Sequence, residues 1–444
     1  MVVDLNIVDV KMLHGGLLVE GGISIDDGRI VKVGKEVNLP ASSERIDGGG
    51  LVALPGMIDA HVHLRDLRLS YKEDFLTGTS AAACGGFTTV LDMPNSDPKT
   101  DSLKHLEMRR RAARGRILVN VGFYACFPEE QEETARLAES PIVGFKINLS
   151  DPWSRLNFDD DDVLSSALSL AATHDRLVAI HAEDHLALME RERELRAKGA
   201  DRPEDFLRLH PPEVEVSAVH RVLRIAEGSR PRLHFCHVST AEAVRAIAEA
   251  KRRGLRVTCE VTPHHLFLTE EAVLRLGGIA IMSPPLRSPE IAGDLWRMVK
   301  GGLIDIIADD HAPHALEEKE AESLWDVRPG IPGLETTLPL LLDRVNRGEL
   351  SLWDLTRLLS SRPAELFHLR GKGSLGEGFD GDVVLVDLRE RWVIDSSKFK
   401  SKAKYSPFDG TEVVGRPVKT FVAGTLVMER GEIVAEPGCG RLLS

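Results

Sequence analysis

The sequence predicts an α/β protein, a (β/α)8 TIM-like barrel with a small β-sandwich domain built from both termini. Three observations lead to this fold class. Eight short apolar runs alternate with longer helix-like stretches, which is typical of a parallel sheet with crossover helices. Nearly every run ends in polar, reactive residues, as strands do at the active-site face of such a barrel. Both ends of the chain instead show short strand patterns separated by turns.

The chain is predicted to begin and end in the β-sandwich. Residues 1–54 contain LLVEGGISIDDGRIVKVG, which alternates apolar and polar residues and carries Asp-Gly turn signals. Residues 369–444 contain GDVVLVDL and VKTFVAGTLVMERGEIV, which predict further strands and hairpins. The barrel is expected over residues 55–368, because all eight candidate strands fall there. These strands are 57–61, 87–93, 117–125, 142–147, 176–183, 232–239, 256–265 and 303–311.

Composition excludes several classes of protein. The 444-residue chain is 43% hydrophobic, enough to bury a large core. Its net charge is −13 with no basic run, which argues against nucleic acid as a partner. The five cysteines are scattered without a Cys-x-x-Cys pair, as expected of a reduced, cytoplasmic protein. No run approaches the ~18 apolar residues of a membrane span, and the start is too acidic for a signal peptide, so no membrane partner is expected.

A pair of histidines ends the first barrel strand, in MIDAHVHLRD. His61 and His63 are two residues apart, so on a strand they face the same side. Two imidazoles on one face suit zinc and similar metals, although ordinary histidines would give the same spacing. Further candidate ligands end other strands: His181 in AIHAED, His237 in FCHVS and Asp310 in ADDHAPH. Because strand ends meet at one face of a barrel, these side chains are expected to converge.

Lys146 lies inside the apolar run of the fourth strand, in VGFKINL. A charged lysine is costly to bury, and one alternative is a surface lysine whose ammonium reaches solvent. A desolvated, neutral lysine instead reacts with carbon dioxide to give a carbamate, whose two oxygens can bridge two cations. Together with the four histidines and Asp310, this carbamate furnishes a two-metal site of the kind that generates hydroxide at neutral pH.

Smaller candidates leave alternatives open. Cys236 and Glu260 lie at strand ends beside the ligands, where they could contact a third metal or simply pack as a thiol and a polar group. Asp309 is displaced by one residue from Asp310, so it is expected to point away from the centre, behind the site or at the surface. Residues 315–333, rich in Glu, Gly and Pro, could form a mobile lid or an ordinary loop.

Taken together, the motifs resemble those of the dihydroorotases within the amidohydrolase superfamily. The resemblance rests on DAHVHLRD, LDMPNSDP, GFKINLS, IHAED, CHVS, PPLRS, DDHAPH, EEKE and GIPGLETT, which span nearly the whole barrel. It implies the fold given above and the reversible cyclisation of N-carbamoyl-L-aspartate to dihydroorotate, in pyrimidine biosynthesis. It also implies two Zn2+ ions per subunit, bridged by N6-carboxylated Lys146.

The resemblance assigns a role to each matching residue. His61, His63 and Asp310 would hold the more buried zinc, and His181 and His237 the second. Asp310 would also carry the catalytic proton. The positions expected to bind the substrate carboxylate are Arg65, Asn95 and His314. For Arg65 the chemistry agrees, since a planar guanidinium offers two parallel donors to a carboxylate.

Two departures and two rival functions accompany this expectation. Residues 66–70, DLRLS, replace a Pro-Gly pattern, and Ser283 stands in place of an asparagine, so substrate affinity or specificity could differ.

One rival function is that of another cyclic-amide hydrolase: a hydantoinase, dihydropyrimidinase or allantoinase. Arg65 and Asn95 weigh against it, because those substrates lack the carboxylate. The other rival function is that of a non-catalytic partner of aspartate carbamoyltransferase. The chain retains all six predicted metal ligands, which argues against this second rival. Homodimer formation and a complex with aspartate carbamoyltransferase stay open.

Overall fold

The computed structural model describes residues 2–151 and 153–443 and contains two eight-stranded sheets. The N-terminal strands are β1 (Val3–His14), β2 (Leu17–Asp26), β3 (Arg29–Gly34) and β4 (Ser42–Pro55). The barrel strands are β5 (Met57–Val62), β6 (Phe87–Asp92), β7 (Asn120–Ala125), β8 (Gly144–Asn148), β9 (Leu177–His181), β10 (Arg232–Phe235), β11 (Val257–Val261) and β12 (Ile306–Ile307). The C-terminal strands are β13 (Val383–Val393), β14 (Glu412–Val422), β15 (Thr425–Glu429) and β16 (Glu432–Ile433).

The central sheet is a nearly closed parallel barrel, as predicted. Strands β5 to β12 pair in chain order. A bridge between Val62 and His311 then joins the first strand to the segment after the last, and the His63 amide donates to the His311 carbonyl at 2.8 Å. The observed strands are shorter than the apolar runs at several carboxyl ends. His237 and Asp310, which follow β10 and β12, have φ of 34° and 49°, a left-handed backbone that turns the chain at these two positions.

Helices surround the barrel between its strands. They are α1 (Phe75–Cys84), α2 (Leu103–Ala113), α3 (Gln131–Glu139), α4 (Asp161–Thr173), α5 (His185–Ala197), α6 (Pro203–Leu209), α7 (Pro212–Ser229), α8 (Ala241–Arg252), α9 (Pro263–Phe267), α10 (Glu270–Leu276), α11 (Pro289–Lys300), α12 (Leu316–Lys319), α13 (Thr337–Asn346), α14 (Leu352–Thr356) and α15 (Arg362–Leu366). Helix α8 illustrates the sequence logic. Thr240 caps its first turn, and Ala243, Val244 and Ile247 recur at helical spacing to form its buried face.

The second sheet takes strands from both ends of the chain, as predicted. Its order is β16-β15-β14-β13-β4-β1-β2-β3, so β4 joins the N-terminal and C-terminal strands. The sheet bends around its own apolar core, in which Ile7 and Ile25 pack with Val383 and Phe421. The β3 edge of the sheet contacts the segment before β13, where the Gly381 amide donates to the Gly28 carbonyl at 2.8 Å.

The terminal sheet passes directly into the barrel. Strand β4 ends at Pro55 and β5 begins at Met57, and Thr420 of β14 donates to the Ala83 carbonyl of α1 at 2.8 Å. The domain boundaries after residues 54 and 368 stay predictions. Across the described part of the chain, no helix has the length and apolar character needed to cross a bilayer.

Candidate metal centre and binding cavity

Two histidines and an aspartate converge at the carboxyl end of the barrel. His61 lies in β5, His63 follows the last residue of that strand, and Asp310 follows β12. The Nε2 atoms of His61 and His63 lie 3.3 and 3.1 Å from the same oxygen, Asp310 Oδ1. All three side chains are buried. This spacing gives a group of nitrogen and oxygen atoms that could hold one metal ion.

A second group of candidate ligands lies beside the first. His181 ends β9 and His237 follows β10, and His181 Nδ1 lies 3.1 Å from His237 Nε2. The His61 and His237 rings are 5.1 Å apart between centroids. Lys146 enters from β8, and its Nζ lies 2.9 Å from Cys236 Sγ. The structure thus brings all six predicted ligands to one cavity of about 380 Å³.

Each of three ring nitrogens that face away from the centre has a polar partner. His61 Nδ1 lies 2.5 Å from Glu260 Oε1, and His63 Nδ1 lies 2.6 Å from Asn95 Oδ1. His181 Nε2 lies 2.7 Å from Glu183 Oε2. Metal-binding histidines typically donate their second N–H to such an oxygen, which fixes the tautomer and orients the ring.

The electrostatics suit a divalent cation. Burial lowers the pKa of His63 to about 4 and that of His237 well below its usual range, so both rings keep free lone pairs at neutral pH. Burial opposes ionisation of Asp310, but nearby imidazoles outweigh it and hold the pKa of Asp310 well below its usual range. Among the described residues, the buried Nδ1 of His237 has no hydrogen-bond partner. Neutral imidazoles beside an ionised carboxylate are the donor set that zinc prefers, and these residues fit it.

The predicted carboxylate-binding residues occupy the same cavity. Arg65 is buried, and its Nε donates to the Pro313 carbonyl at 3.3 Å while Nη2 lies 3.2 Å from His314 Nε2. Within residues 2–151 and 153–443, no carboxylate forms an ion pair with Arg65. Asn95 also lines the cavity, but its Oδ1 is engaged by His63. The cavity therefore holds a desolvated cation without a counter-ion.

The structure adds residues that the sequence argument did not assign. Lys72, from YKED, places Nζ 2.9 Å from Glu318 Oε1 and 3.1 Å from His314 Nδ1. Glu183 accepts from Ser283 Oγ at 2.8 Å in addition to its contact with His181. Glu318 belongs to the EEKE motif quoted above, but its pairing with Lys72 across the fold has no local sequence signal.

The smaller candidates also have defined positions. Asp309 is buried rather than exposed, and it contacts Asp59: the Asp309 amide donates to Asp59 Oδ2 at 3.1 Å. Burial raises the pKa of Asp59 to about 7 and raises that of Asp309 well above its usual range, so this carboxyl pair retains a proton. The surface alternative for Asp309 is therefore wrong. Cys236 is packed against Lys146, and with His61 and Glu260 it forms a second close group of possible ligand atoms.

Comparisons with known proteins agree with this geometry. Residues 52–427 match the model of the amidohydrolase family. The dihydroorotase of Methanothermobacter thermautotrophicus is 39% identical over 423 residues, covering 94% of this chain and 93% of that protein. The dihydroorotase of Pyrococcus abyssi is 36% identical over 98% of this chain and 97% of its own. Among solved structures, the L-hydantoinase of Arthrobacter aurescens superposes with a TM-score of 0.95, at 32% identity and full coverage of both chains.

Proposed function

Because the chain belongs to the amidohydrolase family, we propose that it is a metal-dependent dihydroorotase. It interconverts N-carbamoyl-L-aspartate and dihydroorotate, closing or opening a cyclic amide with release or uptake of water. The dihydroorotase relatives support this reading over nearly the full length of the chain. The observation that carries the choice of substrate is the buried Arg65 guanidinium, which has no carboxylate partner among the described residues.

Arg65 distinguishes dihydroorotate from other cyclic amides. Dihydroorotate bears a carboxylate next to the ring nitrogen, whereas hydantoin and dihydrouracil bear none. A buried guanidinium is stabilised when a carboxylate accepts its N–H groups, and such charge-assisted pairs are among the stronger contacts in proteins. Because Arg65 lines the same cavity as the candidate metal ligands, a carboxylate bound to it would bring the ring amide to the catalytic end of the barrel.

Two zinc ions fit the donor set. His61, His63 and Asp310 would hold one, His181 and His237 the other, and N6-carboxylated Lys146 would bridge them. When bound, the metals would supply a water of lowered pKa and polarise the amide carbonyl. The chain's own oxygens beside His61, His63 and His181 fix the orientation of these rings.

Asp310 moves the proton. In ring opening, water adds to the ring amide carbon and the carbon–nitrogen bond breaks. The Asp310 carboxylate accepts the proton of the attacking water and delivers it to the departing ring nitrogen. Ring closure is the microscopic reverse. Asp310 suits this role because its ionised carboxylate lies in the cavity beside His61 and His63, close to where the attacking water would bind.

A substrate comparison tests the function. The protein, purified and reconstituted with zinc, is assayed with dihydroorotate, hydantoin, dihydrouracil and allantoin under one set of conditions. We expect kcat/KM to be highest for dihydroorotate by at least about 10-fold, the value of one charged hydrogen bond. Preference for hydantoin would instead assign the function of the L-hydantoinase structural relative. No turnover of any substrate by the protein with two bound metals would support the non-catalytic alternative.

Lys146→Ala tests the bridging carbamate. The variant loses the amine that reacts with carbon dioxide, so we expect it to bind less zinc and to lose most activity. Short carboxylic acids should restore part of the zinc content and part of the activity, because their two oxygens can replace those of the carbamate. Metal analysis and mass spectrometry of the intact wild type provide the reference. A variant with two zinc ions and normal turnover, without added acid, would overturn the assignment.

A further inference from the structure

The His314 ring lies between two cations and two acceptors. On one side, Nδ1 lies 3.1 Å from Lys72 Nζ and 3.3 Å from Glu318 Oε2. On the other side, Nε2 lies 3.1 Å from the Pro329 carbonyl and 3.2 Å from Arg65 Nη2. Burial lowers the pKa of His314 to about 3, so the ring is neutral and carries one N–H. The position of this hydrogen, on Nδ1 or on Nε2, decides whether the ring presents a hydrogen-bond donor or an acceptor beside Arg65.

The two tautomers have opposite consequences for an anion. With hydrogen on Nδ1, the ring donates to Glu318, and Nε2 accepts from Arg65. Arg65 is then partly satisfied within the protein. With hydrogen on Nε2, the ring accepts from Lys72 at Nδ1, and Nε2 faces Arg65 as a second donor. Among the described residues the Pro329 carbonyl, 3.1 Å away, accepts this Nε2–H, so a carboxylate that binds Arg65 and His314 together shares that N–H with Pro329 or displaces it.

The contacts of Glu318 favour hydrogen on Nε2. An ammonium can only donate, so Lys72 requires a lone pair on His314 Nδ1. Glu318 does not depend on His314 for a donor, because Oε1 accepts from Tyr71 at 3.1 Å and from Lys72 at 2.9 Å, and Oε2 accepts from the Ala315 amide at 3.1 Å. The Lys72 contact with Nδ1 is also the shorter of the two.

We propose that Lys72 is a positioning residue that holds His314 in the tautomer with hydrogen on Nε2, so that His314 and Arg65 together bind the substrate carboxylate. The inference rests on the proposed function, because it concerns the carboxylate of dihydroorotate. Lys72 lines the same cavity, where its Nζ contacts His314 Nδ1 at 3.1 Å and Glu318 Oε1 at 2.9 Å and not the nitrogen that faces Arg65. It therefore acts through the histidine and contributes to specificity for anionic cyclic amides.

The test compares Lys72→Met with Lys72→Arg in the zinc-loaded protein. In Lys72→Met the donor to Nδ1 is absent, so the KM for dihydroorotate should rise by about 10-fold or more, the loss expected for one charged hydrogen bond. The value of kcat should change less, because the proton carrier is untouched. Lys72→Arg retains an N–H donor and should recover much of the affinity. Lys402→Met is the matched control: Lys402 pairs with Asp74 at 2.6 Å and has no hydrogen bond or ion pair with His314 within the described residues, so its loss should leave KM unchanged.

Nitrogen NMR reads the tautomer directly. In protein labelled with 15N-histidine, the His314 signals are assigned by their loss in His314→Asn. We expect Nε2–H in wild type and a shift toward Nδ1–H in Lys72→Met. The same tautomer in both proteins would overturn the proposal, as would equal losses of kcat and metal content in Lys72→Met and Lys72→Arg. If dihydroorotate is not a substrate, the proposed function fails. The NMR result still decides the tautomer, and calorimetric binding of orotate decides whether the pair captures a carboxylate.

Discussion

Arg65 combines burial, charge and an unfavourable backbone conformation. Its φ is 56°, and the next two residues, Asp66 and Leu67, have φ of 54° and 51°. A left-handed conformation costs an ordinary residue roughly 1–2 kcal/mol, so three in succession need compensation. Asp66 supplies part of it, since its carboxylate accepts from the amides of Leu67 and Phe75. The turn directs the guanidinium into the cavity immediately after the His61 and His63 strand.

Arg65→Met should separate charged from uncharged substrates. Loss of the partner of a buried carboxylate costs on the order of 2–5 kcal/mol, which corresponds to roughly 30-fold to several-thousand-fold in kcat/KM for dihydroorotate. Any activity on dihydrouracil should be unchanged, because that substrate has no carboxylate. The measurement is kcat/KM for both substrates in wild type and variant. Equal losses on both would show that Arg65 supports the metal site or the fold.

Asp310→Asn and Asp309→Asn should behave very differently. The first removes a ligand charge and the proton carrier, so turnover should be abolished in a folded protein. Asp309 belongs to the buried carboxyl pair with Asp59 and has a strongly raised pKa, so a neutral amide is a closer replacement there. We expect Asp309→Asn to keep at least about a tenth of the wild-type kcat. Steady-state rates decide the order, and the reverse order would place the proton carrier at Asp309.

At the residue scale, the candidate metal ligands can be predicted from the sequence more readily than the residues that form hydrogen bonds with them. His61, His63, His181, His237 and Asp310 could be predicted because each follows an apolar run, and barrel geometry brings such positions together. Glu260 lies 199 residues from His61 along the chain, so nothing local signals their 2.5 Å contact. The same holds for Lys72 and His314, which are 242 residues apart. These contacts depend on which strand ends become neighbours.

At the element scale, the predicted strands mark the barrel correctly, but several of them extend beyond the observed strands. The run 303–311 gives only Ile306–Ile307 as a strand, although the apolar pattern continues to Ala308. The chain after the strand instead follows other partners: the Asp309 amide donates to Asp59, and the Ala312 amide donates to Ile331. An apolar run in the sequence predicts that a segment is buried, but it does not distinguish a strand from a buried loop beneath an active site.

The segment 315–333 is an anchored element that lines the cavity with Pro329 and Gly330. Its anchor is Lys319, a buried side chain at the end of α12. The Lys319 Nζ donates to three backbone carbonyls: Ile281 and Arg328 at 2.8 Å each and Gly330 at 2.9 Å. Three acceptors from separate positions fix the segment against the loop before Ser283. From the sequence alone, this segment could be either a mobile lid or an ordinary loop, because the anchoring hydrogen bonds are tertiary contacts.

Lys319→Met should loosen this segment. The variant leaves buried carbonyls without a donor, at roughly 1–3 kcal/mol for each that stays unsatisfied. We expect the free energy of unfolding to fall by about 2–4 kcal/mol and the KM for dihydroorotate to rise. Urea unfolding and steady-state kinetics measure the two effects. Lys398→Met is the control, because the Lys398 side chain is 81% exposed and should change stability by less than about 0.5 kcal/mol. Similar stability of the two variants would contradict the anchoring role.

At the scale of the whole molecule, the barrel and the terminal strands are joined through a buried carboxyl group. Glu335 precedes α13 of the barrel, and its oxygens accept from the Lys400 amide at 2.8 and 2.9 Å and from the Ser401 amide at 3.3 Å. Lys400 and Ser401 lie between β13 and β14. The pattern of strands at both termini predicts their common sheet. It does not predict the contact of Glu335 with Lys400 and Ser401, because this contact joins two loops.

The link makes stability depend on pH in a definite direction. Burial raises the pKa of Glu335 from 4.5 to about 8, against the opposing effect of the Lys400 and Ser401 amides. Between these values the folded protein binds more protons than the unfolded chain, so the free energy of unfolding should fall as pH rises from about 5 to about 8. This stability is complete below the unfolded pKa and lost as pH passes the folded value.

Glu335→Gln should remove that dependence, because an amide stays neutral throughout. The variant loses a good acceptor and should be less stable than wild type at pH 5. As pH rises to 8, the difference in free energy of unfolding between wild type and variant should shrink or reverse. The change is at most ~5 kcal/mol, because each unit of pKa shift corresponds to about 1.36 kcal/mol. Urea unfolding of both proteins across this range measures it. Glu377→Gln is the control, since that side chain is 54% exposed and pairs with Lys32 at the surface. A constant difference between wild type and Glu335→Gln would show that Glu335 is ionised in the folded protein, held by the two amides strongly enough to outweigh its burial.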